Sequence, residues 1–321
     1  MTVRKMMVLI NTWAGMGRGQ KCLKKIKKWG DEIAKEGEIE VVIEVTQKLG
    51  QKNATNLARK ALREGYDLII SVGGDGTNNL VANGIAGTNI PVAFVQAGIA
   101  NNLAKDLRIP SDIAKTLGIM TRDRIKIESI DLGKVTWKTG ERCFVSNFSL
   151  GLDARVVQLA ETFKQKYHFL SFLPGIGEAM YGIAWLKEVF FHLEYPLVEI
   201  GMPGKKFAQG KKEERTTLIA IINTPTYGKI LKIVPKADLR DGLLDICRIR
   251  KVGRWWILRN IFRAIKGTLG NLKEVDILPR AKSFTISSPE KLLCQIDGEV
   301  LPAEKEYKIS IFPKALKVIV P

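Results

Sequence analysis

The first 120 residues alternate short apolar runs with amphipathic stretches. Met6–Ile10, Val41–Val45, Leu68–Val72 and Pro91–Val95 are strand-length apolar runs. Polar, helix-periodic segments separate them, the pattern expected when each strand is covered by the helix that follows it. Ala54, Leu57, Ala58, Ala61 and Leu62 fall at i, i+3, i+4, i+7 and i+8, one face of a helix that begins near Asn53. A parallel α/β sheet follows from this half. Beyond about residue 125 the segments become β-rich: Lys126–Leu132, Arg142–Leu150, Thr217–Asn223, Leu244–Arg250, Ser283–Ser287 and Lys308–Phe312 carry many β-branched residues, and most end at Gly, Pro, Asp or Ser. They predict a mainly antiparallel second domain. The expected division is 1–128 for the α/β domain and 129–307 for the β-rich domain, with 308–321 returning to the first.

Two aromatic stretches break the β pattern. Tyr167–Phe191 contains Pro174, Gly175, Gly177 and Glu178, so it does not predict a clean membrane-spanning helix. Arg248–Leu272 mixes Trp255, Trp256, Ile261 and Phe262 with Arg254, Arg259, Arg263 and Lys266, a composition suited to an interfacial helix. A helix packed on its own domain with solvated arginines has a similar pattern. Gly204–Arg215 reads as a charged loop.

Composition narrows the function class. With 45% hydrophobic and 26% charged residues over 321 positions, neither wholesale disorder nor a polytopic membrane protein is expected. The 51 Lys+Arg against 33 Asp+Glu leave +18, which favours a polyanionic partner. No helix-turn-helix, zinc-finger or RNA-platform signature accompanies that charge, so nucleic acid is not expected. Cys22, Cys143, Cys247 and Cys294 are scattered, without the paired spacing of a zinc site, and no signal-peptide pattern opens the chain. A cytoplasmic protein with reduced thiols is expected.

The chemistry concentrates at glycines that follow strands. Leu68–Val72 runs into Gly73, Gly74, Asp75, Gly76 and Thr77. Glycines at a strand-to-helix junction leave backbone N–H groups uncovered for a phosphate. Asp75 would repel phosphate, which leaves it Mg²⁺, water or the orientation of the loop as roles. A second turn with Gly15 and Gly17 follows the first strand and precedes a basic helix with Arg18, Lys21, Lys24, Lys25, Lys27 and Lys28, and a third, Gly98–Asn102, follows the fourth. All three lie at carboxyl ends of parallel strands, where open α/β sheets bind ligands. Neither the GxxxxGK[ST] loop nor the GxGxxG fingerprint occurs among them.

This GGDGT segment resembles the catalytic domain of the diacylglycerol kinase and sphingosine kinase superfamily, which also includes the NAD kinases. Further matches favour the lipid kinases: Asn147, Gly151-Leu-Asp-Ala154, Asn223, Gly228, Pro235-Lys-Ala237, Asp241-Gly-Leu-Leu-Asp245, Asp297-Gly-Glu299 and Phe312-Pro-Lys-Ala-Leu316. The resemblance implies a Rossmann-like domain and a β-sandwich domain, with ATP and lipid meeting at the cleft between them. It carries nucleotide contacts onto Asn11, Gly15, Gly17, Thr46, Gly73, Gly74, Asp75, Gly76, Thr77, Gly98 and Asn101. Glu299 becomes the catalytic carboxylate, with Asp297 and Asp75 as the further catalytic residues, and a structural Mg²⁺ falls on Asp241 with main-chain oxygens near Asp238 and Leu243. The implied reaction is ATP-dependent phosphorylation of a hydroxyl of diacylglycerol or a related lipid. It would take place at the anionic inner face of the membrane, with Mg²⁺ as cofactor, in a chain compatible with a homodimer. An NAD kinase-like enzyme and a non-catalytic nucleotide- or lipid-binding regulator are the alternatives.

At three positions a polar group of the family pattern is lost. Leu80 stands where GGDGTxNE has Glu, while Ile99 and Asn102 stand where PxGTxND has Thr and Asp. Losing one charge-assisted hydrogen bond costs on the order of 1.5–3 kcal/mol. Reduced activity, another phosphate donor or a non-catalytic role are the expected consequences.

Overall fold

The computed structural model describes residues 3–15, 17–35, 39–47, 51–120, 125–167, 176–202, 214–228 and 230–321. The chain divides into two compact units, one of Met1–Asp131 with Pro313–Pro321 and one of Leu132–Phe312.

In the first unit β1 (Lys5–Ile10), α1 (Arg18–Lys35), β2 (Glu40–Val45), α2 (Gln51–Arg63), β3 (Leu68–Gly73), α3 (Asp75–Ile85) and β4 (Pro91–Gln96) alternate, followed by α4 (Asn102–Asp106) and α5 (Ile113–Met120). The strands pair in parallel in the order β4, β3, β1, β2. Residues 317–318 of the last strand add to the outer edge of β4. Buried Met6, Val8, Ile70, Val72 and Val95 form a core with Cys22 and Ile26 of α1 and Leu117 of α5. On α2 the predicted face is buried at Ala54, Ala58 and Ala61, while Leu62, in the last turn, is exposed. Pairing of Ile10 with both Val45 and Val72, and of Gly73 with Gln96, brings the carboxyl ends of the four strands level. Parallel pairing thus gathers loops that lie far apart in sequence at one edge of the sheet.

The second unit is built on β5 (Lys126–Trp137), which begins in the first unit, then β6 (Gly140–Phe144) and β7 (Asn147–Gly151). After these come α6 (Leu152–Lys166), α7 (Ile176–Phe191), β8 (Leu197–Gly201), β9 (Glu214–Ile222), β10 (Leu244–Arg250) and α8 (Arg254–Lys266). It closes with β11 (Val275–Ala281), β12 (Ser283–Leu292), β13 (Cys294–Ile296), β14 (Glu299–Val300) and β15 (Glu304–Val320), the last of which ends in the first unit. One antiparallel layer runs β14, β13, β7, β9, β10, β11. Another joins β8, β12, β15, β5 and β6. Alternation along β9 explains how both faces of the first layer are buried. Ile219 and Ile221 join Phe284, Ile286 and Tyr307 of the facing layer, while Leu218, Ala220 and Ile222 join Val189 of α7 and Ile257 of α8. Most of the charged segment Gly204–Arg215, like 168–175 of the first aromatic stretch, lies outside the described residues.

Candidate active site

The three glycine turns of the first unit are held against one another. Asn11 donates from Nδ2 to the hydroxyl of Thr77 at 3.1 Å, joining the end of β1 to the start of α3. A Cβ on Gly15 would lie 2.0 Å from the carbonyl oxygen of Ala97, and one on Gly98 would lie 2.3 Å from Cα of Gly74. Such approaches exclude any side chain, which is why glycine occupies these points. Arg18 donates to the Gly98 carbonyl at 3.2 Å, and Thr46 turns both its N–H and its hydroxyl toward the Ile10 carbonyl. Gly17 lies in the turn that enters α1, with positive φ. At the head of α3 the cap residue is Gly74, which provides no side-chain acceptor for the first-turn N–H groups. Those groups have no partner inside a helix and are suited to an anion.

Asp75 ties this turn to the third one. Its two carboxylate oxygens accept the backbone N–H groups of Asn102 and Leu103 at 3.1 and 3.2 Å. Burial pushes its carboxyl above the usual range, and these N–H donors act in the opposite sense. Of the roles open to it from sequence, orientation of the loop is the one its contacts serve. Asn101 adopts a left-handed backbone and exchanges two 3.0 Å hydrogen bonds with Gly98, so it staples its own loop. The altered positions fit around this arrangement: Leu80 accepts from the Thr55 hydroxyl through its carbonyl, Ile99 is half-buried, and Asn102 has a buried Oδ1 without a hydrogen-bond partner among the described residues.

In the second unit Asp297 and Gly298 form the turn between β13 and β14, and Glu299 opens β14. Asp297 accepts the N–H groups of Val145, Ser146 and Asn147 at 2.7, 2.8 and 2.9 Å. It is therefore a clamp on the β6–β7 connection, and Asn223 holds the same connection by donating to the Val145 carbonyl at 2.8 Å. Glu299 instead lies 2.6 Å from Nη2 of Arg142, both side chains being about one-fifth exposed. Asn147 and Asp153 of the other motifs join a buried polar network with Ser149, Tyr227 and Gln295, three residues that sequence reasoning did not single out. Gln295 donates to Asn147, Ser149 and Asp153, and the hydroxyls of Ser149 and Tyr227 also donate to Asp153. Burial raises the Tyr227 phenol well above its usual value, so it stays a donor.

The expected Mg²⁺ ligands are occupied differently. Asp241 accepts the Leu243 N–H through Oδ1 at 3.0 Å and Nη1 of Arg280 through Oδ2 at 2.8 Å. Asp238 accepts the backbone N–H of Arg240 at 3.1 Å. Among the described residues no cluster of three or more His, Cys, Asp and Glu side chains forms a metal shell. A hard divalent ion needs oxygen ligands that it does not have to share with an arginine, so these residues do not fit a resident Mg²⁺.

Comparison with known proteins agrees with this two-part fold. Residues 5–135 match the diacylglycerol kinase catalytic domain family, and residues 146–320 match the YegS C-terminal NAD kinase beta sandwich-like domain. A diacylglycerol kinase of Mycobacterium tuberculosis is 31% identical over 275 residues, covering 84% of this chain and 82% of that protein. The chain belongs to the diacylglycerol kinase family. A Bacillus subtilis diacylglycerol kinase is 29% identical over 258 residues, 78% of each chain. A crystal structure of a diacylglycerol kinase from Bacillus anthracis shares the fold, with a TM-score of 0.68 at 20% identity over 100% of this chain and 98% of that one.

Membership in this kinase family places the chain among the phosphotransferases, with ATP the donor that a kinase implies. Three arginines were not singled out from sequence as partners of the motifs. Arg18 directly follows the Gly15–Gly17 turn, which is a signal that it caps that turn. Arg142 and Arg280 lie in ordinary strands: antiparallel pairing of β11 with β10 brings Arg280 to the Asp241–Asp245 segment, whereas Arg142 is on β6, which pairs with β5, and meets Glu299 of β14 across the two layers.

Proposed function

We propose that this kinase transfers the terminal phosphoryl group of ATP to a hydroxyl of diacylglycerol or a related lipid at a membrane surface. The observation that carries the proposal is the division of labour among the motif carboxylates: Asp75 and Asp297 are bonded to backbone N–H groups, whereas Glu299 faces a side chain. In this reading the uncapped start of α3 and the glycine turns hold the nucleotide phosphates, and Mg²⁺ arrives with the ATP. Glu299 accepts the proton of the lipid hydroxyl as its oxygen bonds to phosphorus and ADP leaves. Most of the catalysis is positioning and charge neutralisation, for which the basic first turn of α1 is suited.

Exposed aromatics support a lipid acceptor. Trp255 and Phe262, seven residues apart on α8, are 73% and 69% exposed, and Phe191 at the end of α7 is 78% exposed. Arg254, Arg259, Arg263 and Lys266 share α8 with them. Among the described residues no helix is long and apolar enough to cross a membrane.

Incubation with labelled ATP and mixed lipid vesicles tests the proposal. Labelled lipid is expected from the parent and not from Glu299→Ala. Absence of label in diacylglycerol, phosphatidylglycerol, sphingoid and polyprenol acceptors would overturn it. Leu80, Ile99 and Asn102 favour the second reading, a non-catalytic nucleotide- or lipid-binding regulator. That reading gains if the parent is inactive and Ile99→Thr with Asn102→Asp creates activity. NADP formation from NAD would instead favour an NAD kinase-like enzyme.

A further inference from the structure

We propose that Arg280 is a built-in cation standing in the position of a structural divalent ion, so that the Asp238–Asp245 segment holds its fold without metal. The inference concerns folding of the second unit and does not depend on which phosphoryl acceptor the protein uses.

The guanidinium makes three directed bonds. Nε donates to Asp245 Oδ1 at 2.8 Å, Nη1 to Asp241 Oδ2 at 2.8 Å, and Nη2 to the Lys236 carbonyl at 2.6 Å. Two carboxylates and a main-chain carbonyl are the oxygen set that a hard divalent cation takes. Here a planar, permanently charged fork takes it, with donors matched to those acceptors. A Mg²⁺ sharing the same oxygens would meet a like charge at contact distance.

Strand register puts the arginine there. Arg280 is the penultimate residue of β11, which runs antiparallel to β10, and the pairing shifts between Leu244 and Ile246, at Asp245 itself. Asp245 is buried on β10, so its charge requires a partner, and burial does push its carboxyl up against the opposing pull of Arg280. The neighbouring carboxylate is also balanced: Asp238 lies 3.7 Å from Nη1 of Arg240. The remaining oxygen of Asp241 accepts the Leu243 N–H, a donor that cannot be a metal ligand. A single guanidinium therefore meets Asp241, Asp245 and the Lys236 carbonyl together.

The experiment is thermal unfolding of the full chain without nucleotide or lipid, after treatment with EDTA and again with millimolar Mg²⁺ or Ca²⁺. The parent is expected to unfold at the same midpoint in all three conditions. Arg280→Ala leaves two carboxylates and a carbonyl without their cation. It is expected to unfold several degrees lower and to regain part of that loss with Mg²⁺ or Ca²⁺, and adding Asp241→Asn should remove the rescue. Two results overturn the proposal: a parent midpoint that falls in EDTA and is restored by Mg²⁺, with that response lost in Asp241→Asn, or a folded Arg280→Ala protein that neither ion stabilises. If Arg280→Ala does not fold, the parent comparison still decides between a built-in and a recruited cation.

Discussion

Three carboxylates that look alike as sequence motifs have different surroundings in the folded chain. Asp75 bridges two loops, Asp297 clamps three consecutive N–H groups, and Glu299 pairs with Arg142. The difference predicts two kinds of mutant. Asp297→Ala leaves three backbone donors without their acceptor, and leaving a buried donor unsatisfied costs about 1–3 kcal/mol each. Urea unfolding of Asp297→Ala is therefore expected to show a loss of about 3 kcal/mol or more. Glu299→Ala removes one side-chain ion pair and no backbone bond, so its loss of stability is expected to be smaller than that of Asp297→Ala, and yet it should abolish phosphoryl transfer. A stable but inactive Asp297→Ala protein would contradict the clamp and return that residue to a chemical role.

At the level of elements, α8 combines two features that its sequence alone left as alternatives. Ile257, Asn260 and Ala264 are buried against the second unit, while Trp255 and Phe262 face outward. Phe190 of α7 stacks edge-on with Trp255 at 6.2 Å between ring centres, so the exposed aromatics of the two helices form one patch. Because the two exposed rings contribute little to the core, the double variant Trp255→Ala, Phe262→Ala is expected to keep its unfolding midpoint. Its co-sedimentation with anionic vesicles should fall at least tenfold, since burying each aromatic in the interface is worth roughly 1.5–3 kcal/mol. Unchanged vesicle binding would remove this patch from the membrane reading.

For the whole molecule, the relevant quantity is the +18 charge and where it lies. Lys21, Lys24, Lys25, Lys27 and Lys28 are exposed on α1, and α8 carries four more basic residues. Each Lys or Arg close to an anionic bilayer contributes about 1 kcal/mol, an attraction confined to roughly a Debye length. Binding to phosphatidylglycerol vesicles is therefore expected to weaken steeply with added salt, and binding to neutral phosphatidylcholine vesicles to be weak throughout. Salt-independent binding would mean that apolar insertion dominates and that the excess charge serves another partner.

The local pattern by itself determined the alternation of strands and helices, the change to β structure after residue 125 and the position of the glycine turns. Those features depend on periodicity and on backbone freedom, which are properties of neighbouring residues. Motif resemblance extended this to Glu299 and the family. What depended on pairing between distant segments was decided only by the tertiary structure: Gly98 against Gly74, Asp297 beneath Val145–Asn147, Arg142 beside Glu299 and Arg280 between Asp241 and Asp245. The family resemblance implied a metal at the Asp238–Leu243 segment. Strand register placed an arginine in it, because charge is balanced by whichever cation the fold brings within reach.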